Sequence, residues 1–186
     1  EDIRRSGATS LPEALRLAPN LQVARMSAGQ YAISARGFNN AIANKLLVLI
    51  DGRTVYSPLF AGVFWDAHDL VLEDIDRIEV ISGPGGTLWG ANAVNGIINV
   101  TTKPAAATQG VLGTATRSRD GGPQGGPGGG ARGGDGDLRV YGLSIDRGAS
   151  ELGSGTEVAD AARKLQAGFR ADVGDGPDLL TVQGDL

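Results

Sequence analysis

The sequence predicts an α+β module, a small sheet with short helices, followed by a run of antiparallel β-strands. Three observations point there. A helix-start pattern at Ser10–Glu13 is set among extended runs, and Arg77–Lys103 reads as strand, glycine turn, short helix and strand. Beyond residue 107 the composition turns to small residues, glycine and two-residue alternation. These features divide the chain into units 1–106 and 107–186.

Ser10-Leu11-Pro12-Glu13 fits a capping box, in which Ser10 accepts from first-turn N–H groups and Glu13 reaches back; Pro12 is harmless in a first turn. Leu11, Ala14, Leu15 and Ala18 share one face of the helix that follows, and Pro19-Asn20 stops it. Leu21–Arg25 and Tyr31–Arg36 read as extended, the second leading into Gly37-Phe38. Lys45–Ile50, Asp51-Gly52 and Arg53–Tyr56 form the clearest hairpin, because Asp-Gly supplies the positive φ angles of a two-residue primed turn. The unbroken apolar run of its first arm predicts burial on both faces, hence a central strand.

Two loops flank that hairpin. One carries the amides Asn39, Asn40 and Asn44; the other, Ser57–Asp66, follows Tyr56 and gathers Phe60, Phe64 and Trp65. By residue type alone, these loops read as amides closing turns and aromatics packed on a core.

In Arg77–Ile81 the charged Arg77 and Glu79 alternate with Ile78 and Val80, the pattern of a strand with one wet face. Gly83-Pro84-Gly85-Gly86 ends it, Thr87 is placed to cap a turn through Leu88 and Trp89, and Gly96 releases the β-branched run Ile97–Thr102. The arrangement resembles a phosphate cradle only superficially. A dinucleotide fingerprint from Gly83 and Gly85 needs a third glycine where Leu88 stands, and Gly85 to Gly90 has Walker spacing but is followed by Ala91-Asn92.

The bulk composition removes other classes. A net charge of −4 and scattered cations argue against a nucleic-acid footprint, and the absence of cysteine removes thiolate chemistry. No catalytic triad spacing and no metal-ligand spacing is present. His68, the single histidine, sits among Asp66, Asp69, Glu73 and Asp74, where Asp66 and Asp69 are expected at a helix N-terminus and Asp74 and Asp76 in solvated turns. The longest apolar run, Leu46–Ile50, is far short of the ~20 residues of a membrane-crossing helix. A start at Glu1 without a leader reads as an interior piece of a longer product.

In the second unit, Arg139–Arg147 sets Tyr141, Leu143 and Ile145 against Val140, Gly142, Ser144 and Asp146. Leu165–Val173 and Leu180–Leu186 alternate in the same way. Such strands suit a lipid-facing barrel wall or a soluble antiparallel sheet. Residues 120–136, mostly glycine and proline, hold too little apolar surface to offset ordering, so disorder or a poorly formed strand near 124–133 is expected.

The stretch from Arg77 to Lys103 closely resembles the end of the plug domain of TonB-dependent outer-membrane receptors. Arg77, Ile78, Glu79, Val80, Gly83, Pro84, Leu88, Trp89, Gly90, Ala93, Gly96, Ile98, Asn99, Val100, Thr102 and Lys103 fill that family's pattern. The LPEALRLAPN helix, the segment through Arg36-Gly37 and Val48–Gly52 with its Asp51-Gly52 turn resemble the same domain, so the likeness runs from the start to about Lys103. Many relatives carry an arginine where this chain has Ser82, so a charge lock to the wall is not expected there.

The resemblance implies a small mixed sheet with short helices, followed by the first four or five strands of a transmembrane β-barrel too incomplete to close. It implies a non-enzymatic, cofactor-free role in the outer membrane of a Gram-negative bacterium: gated uptake of a scarce large solute such as a siderophore, haem or cobalamin. Asn39, Asn40, Asn44, Tyr56, Phe60, Phe64 and Trp65 would then lie in apical loops that touch a small-molecule or metal-chelate ligand. The implied partners are outer-membrane lipid and TonB, through a box upstream of Glu1. The competing expectation is a soluble plug-like binding or adhesion module without transport.

Overall fold

The computed structural model describes residues 2–37, 39–41, 45–59, 61–117, 122–174 and 176–186, and forms two compact units, 1–102 and 103–186. Asn44 and Phe60 lie outside the described residues, as does the start of the glycine-rich stretch at Asp120.

Unit 1 opens with α1 (Asp2–Ser6) and α2 (Leu11–Ala14), the latter continuing as a 3-10 turn over Leu15–Leu17. Ser10 caps α2, its hydroxyl accepting from the Glu13 N–H at 3.4 Å, and Leu11, Ala14 and Leu15 are buried as the periodicity predicts. The other half of the expected capping box does not form. Glu13 instead accepts from Arg16 Nε at 2.6 Å and from the Tyr31 hydroxyl at 2.9 Å, two donors that outcompete a backbone N–H. Burial, and then the Glu13 carboxylate, push the Tyr31 hydroxyl pKa above its ordinary value.

β1 (Leu21–Arg25) and β2 (Tyr31–Ala35) form an antiparallel pair. Next come β3 (Leu46–Ile50), β4 (Arg53–Thr54), β5 (Tyr56–Ser57), β6 (Gly62–Val63), β7 (Ile75–Ser82), α3 (Gly86–Trp89) and β8 (Gly96–Thr102). A four-stranded sheet has the order β4-β3-β8-β7, with β3 and β8 parallel and the other neighbours antiparallel, so the sheet is mixed. β3 is internal and buried along most of its length, as its unbroken apolar run requires. Asp51 (φ 49°) and Gly52 (φ 78°) make the predicted primed turn. The returning arm is shorter than expected: β4 ends at Thr54, and Tyr56 pairs instead with Val63 in the separate β5–β6 ribbon. The core gathers Leu11, Leu15, Ile33, Val48, Trp65, Ile98 and Val100.

Three local expectations of unit 1 are corrected. Thr87 lies inside α3, whose N-cap is Gly85 with no side-chain cap. Asp66 occupies the first turn of a 3-10 helix over Trp65–Ala67, but Asp69 falls beyond its C-cap His68 and is buried. Asp74 is buried as well, in the turn Leu72–Asp74; only Asp76 is solvated, and it lies in β7.

Unit 2 begins with a 3-10 turn over Ala105–Thr108 and continues as β9 (Gly110–Arg117), β10 (Pro123–Gly133), β11 (Gly136–Arg147), β12 (Ala162–Val173) and β13 (Leu180–Asp185). All neighbours are antiparallel and follow the chain, in the order β13-β12-β11-β10-β9. The sheet does not close on itself.

Of the two outcomes expected for the glycine-rich stretch, disorder is overturned and a strand is found, over Pro123–Gly133. β10 pairs with β9 from Pro123 to Gly130 and with β11 over most of Gln124–Gly133. Ladder bonds come from the backbone, which a strand of glycines supplies in full, and two paired neighbours offset the ordering entropy that a free segment could not. Pairing with β11 skips Gly126 and Pro127, where the proline has no N–H to give.

A second correction concerns faces. Register sets Val140 opposite Phe169 and Leu138 opposite Ala171, while Tyr141 faces Gly168 and Leu143 faces Gln166. The apolar face of the wall is therefore Leu138, Val140, Leu165, Phe169, Val173, Leu180 and Val182, all exposed. Tyr141, Leu143 and Ile145, expected on the apolar side, share the opposite face with Gln166, Arg170 and Asp172. With a period of two, neighbours decide the face, and one strand read alone cannot.

Asp172 organises that polar face. Its carboxylate accepts from Thr181 Oγ1 at 2.7 Å, from Arg170 Nε at 3.0 Å and from the Ala105 N–H at 2.7 Å. Arg139, cross-strand neighbour of Arg170, donates from Nη1 to the Lys103 carbonyl at 2.9 Å.

Candidate functional site: the loop end of the mixed sheet

Strand register gathers three loops of unit 1 at one end of the sheet. Leu46, the first residue of β3, lies beside Gly96, the first of β8, and Gly96 lies opposite Ser82, the last of β7. The Asn95 N–H donates to the Lys45 carbonyl at 2.8 Å and the Gly83 N–H to the Asn95 carbonyl at 3.1 Å, so loops 36–45 and 83–95 leave from the same edge. The Val55 N–H donates to the Val48 carbonyl at 3.1 Å, so the chain runs back alongside β3 and delivers the β5–β6 ribbon toward that end too.

The amides and aromatics singled out in the sequence are distributed unevenly there. Asn39 is half-buried, and its Oδ1 is enclosed without a hydrogen-bond partner among the described residues. Asn40 is exposed, while Tyr56 and Phe64 are half-buried. Trp65 is 5% exposed and packed in the main core, so it supports the loop from beneath rather than presenting a surface. Leu59, which no pattern in the sequence marked, is 81% exposed at the tip of the ribbon.

The signature residues fall into three groups. Arg36 (φ 62°) and Gly37 (φ 93°) turn the chain out of β2. Across β7 and β8, Asn99 Nδ2 donates to Glu79 Oε2 at 2.8 Å, and Arg77 reaches Asp76 at 3.0 Å and Glu79 at 3.5 Å, all at the surface and worth at most about 1 kcal/mol each. Gly83 and Gly90 carry positive φ on either side of Pro84 and α3, which projects Leu88 into solvent. Gly96 is required by close approach: a Cβ there would sit 2.7 Å from the Ile81 carbonyl oxygen. Ser82, which departs from the family pattern, accepts instead from Asn20 Nδ2.

Sequence reasoning missed a second task of Asp51. Besides holding the turn, its carboxylate accepts from the Thr102 N–H at 2.7 Å and from Thr102 Oγ1 at 2.8 Å, tying the hairpin to the end of β8. The pair is 51 residues apart, and no local pattern could signal it. Asp51→Ala removes two charge-assisted bonds and leaves a β-carbon at positive φ, with an expected loss of about 2–4 kcal/mol. Asp51→Asn, which keeps the turn preference and one acceptor, should lose less than half of that in the same urea titration; equal losses would contradict the double role.

A family model described as the TonB-dependent receptor plug domain matches residues 1–97. The chain belongs to this family. Among curated relatives it is 35% identical over 112 residues to the "Vitamin B12 transporter BtuB" of Vibrio vulnificus and 30% identical over 115 residues to that of Vibrio cholerae. These matches cover 59% and 62% of this chain and 18% of each relative, so the chain corresponds to under a fifth of their length. Among solved structures it resembles "Copper transporter OprC" (TM-score 0.76, 21% identity, 96% of this chain and 28% of that one). It also resembles the ferric yersiniabactin uptake receptor FyuA from Yersinia pestis (TM-score 0.71, 21% identity, 98% and 29%). The TonB-dependent receptor fold, a mixed-sheet plug followed by antiparallel strands, is thus present here with the barrel unclosed.

Proposed function

We propose that this chain is the plug and first wall strands of a TonB-dependent transporter of the Gram-negative outer membrane, gating uptake of a scarce large solute. The observation that carries the reading is a family plug followed directly by strands of which one face is apolar and exposed from Leu138 to Val182. Only a wall standing in lipid leaves such a face uncovered at little cost, because its backbone groups are paired within the sheet. Asn39, Asn40, Tyr56 and Phe64 at the loop end are the ligand-facing groups. The proteins that it resembles are named for uptake or transport of vitamin B12, iron, ferric yersiniabactin and copper, which supports uptake as the role. TonB supplies the energy by pulling on the plug from the periplasm.

The test is uptake of labelled cyanocobalamin and of ferric chelates by cells making the full-length protein, with and without TonB. Uptake of at least one cargo that vanishes without TonB is expected. Equal rates in both strains, or recovery of the protein from the periplasmic soluble fraction, would overturn the reading in favour of a soluble binding module.

A further inference from the structure

The second unit begins with a segment fastened to its own sheet. The Lys103 carbonyl accepts from Arg139 Nη1 at 2.9 Å, and the Ala105 N–H donates to Asp172 at 2.7 Å. The Ala105 carbonyl accepts in turn from Gln109 Nε2 at 2.8 Å and from Thr108 Oγ1 at 3.1 Å, closing a turn around a fully buried Ala105. That turn packs on β10, β11 and β12. Its fastenings are spread over three strands: Arg139 on β11, Asp172 with Arg170 on β12, and Thr181 of β13 on the same carboxylate.

The seat lies at one end of the wall. Arg139 pairs with Arg170 and Asp172 with Asp137, next to the short connections 134–135 and 174–179, whereas the long connection 148–161 is at the far end. In a transmembrane barrel the short turns face the periplasm and the longer loops the outside. The seat is therefore on the side from which the plug is pulled. By contrast α1, at the start of unit 1, buries no residue.

We infer that Lys103–Gln109 is the fixed end behind the plug: under a pull from the periplasm, Arg139 and Asp172 keep this segment on the wall and the chain yields before Lys103. The inference rests on the uptake reading for the source of the pull, and adds the residues that stop it. Detaching the seat withdraws a backbone N–H from a buried carboxylate and a carbonyl from a buried guanidinium, and hydrogen bonds to charged partners are the stronger kind. The load also falls on β11 and β12, which are paired along their whole length, so several bonds must fail together, whereas a surface helix frays one turn at a time. Arg139 and Asp172 act as positioning residues: by holding the seat they set where remodelling of the plug ends.

The experiment pulls single full-length receptors in a lipid bilayer through a thiol handle at Asp2→Cys, an exposed position in a chain without cysteine. Unit 1 should unravel in steps up to an extension of about 350 Å, the reach of roughly 100 residues, and then stop at a distinct force peak. At constant force, escape over that peak should be about 10- to 100-fold faster in Asp172→Ala and about 3- to 10-fold faster in Arg139→Met, which spares the carboxylate. Asp172→Asn, with one amide oxygen left to accept, should fall between Asp172→Ala and the parent. Asp51→Ala, which weakens unit 1, should ease the earlier steps and leave the last peak in place. The inference is overturned if the receptor shows no peak at that extension, if unit 1 comes away folded before it, or if the peak survives Asp172→Ala or Arg139→Met unchanged. The source of the pull is scored separately by the TonB dependence of uptake, which can fail while the seat holds and hold while the seat fails.

Discussion

Asp172→Ala should cost the five-stranded unit about 3–5 kcal/mol, because it removes the buried carboxylate on which Thr181, Arg170 and the Ala105 N–H converge. Arg170 and Asp172 are 12% and 6% exposed, and Arg139, which stands opposite Arg170 across the β11–β12 pair, is also buried. Deleting Asp172 takes a carboxylate from beside the Arg139–Arg170 pair and strips the acceptor from Thr181 and from the Ala105 N–H. Hydrogen exchange at Ala105 should therefore speed up at least tenfold in the variant, while β10 amides distant from the cluster keep their protection. Asp172→Asn retains an oxygen for one of the three donors and should recover part of the loss. If Asp172→Ala unfolds within 0.5 kcal/mol of the parent in a urea titration, or if Ala105 exchange is unchanged, the carboxylate is not what fastens this turn to the wall.

Gly126→Ala is the second large effect, expected at about 3 kcal/mol or more. A Cβ at Gly126 would lie 2.0 Å from the Gly142 carbonyl oxygen and 3.1 Å from the Leu143 Cα, both backbone atoms of the next strand, which cannot swing aside as a side chain could. β10 and β11 would have to part along the stretch where Pro127 already leaves the ladder incomplete. Gly113→Ala in β9 is the matched control: nothing lies within 4 Å of its added carbon, and a change under about 1 kcal/mol is expected. Thermal unfolding of the two variants in the same detergent separates them, and similar losses would mean that β10 tolerates a side chain after all.

What could be read in the sequence was what is local. The Asp51-Gly52 turn, the Ser10 cap and the extended Arg77–Ile81 and Ile97–Thr102 segments, which lie within β7 and β8, follow from residues within a few positions of one another. β10 was legible only as a poorly formed strand near 124–133 or as disorder, because strand propensity is written in side chains while its pairing is made by backbone alone. The face of β11 was misread because Tyr141, Leu143 and Ile145 look like an apolar row until Gln166 and Arg170 are set beside them. At the loop end, the aromatic cluster could not reveal which ring goes inward: Trp65 joined the core and Phe64, one residue earlier, did not. The Asp51–Thr102 and Asp172–Ala105 bonds join residues too distant for any spacing to announce.

The parallel pairing of β3 with β8 sets an order of events during biogenesis. Leu46–Ile50 gains only the two-residue partner β4 at once; its other flank waits for Gly96–Val100. At about 5–20 residues per second of synthesis, that is a delay of several seconds in which a greasy, β-prone LLVLI segment travels uncovered. The later strands have no such wait, since each can zip onto the one before it. The nascent plug is thus the part that leaves a β-prone apolar segment uncovered while the chain is still being made, and Leu46–Ile50 is that segment.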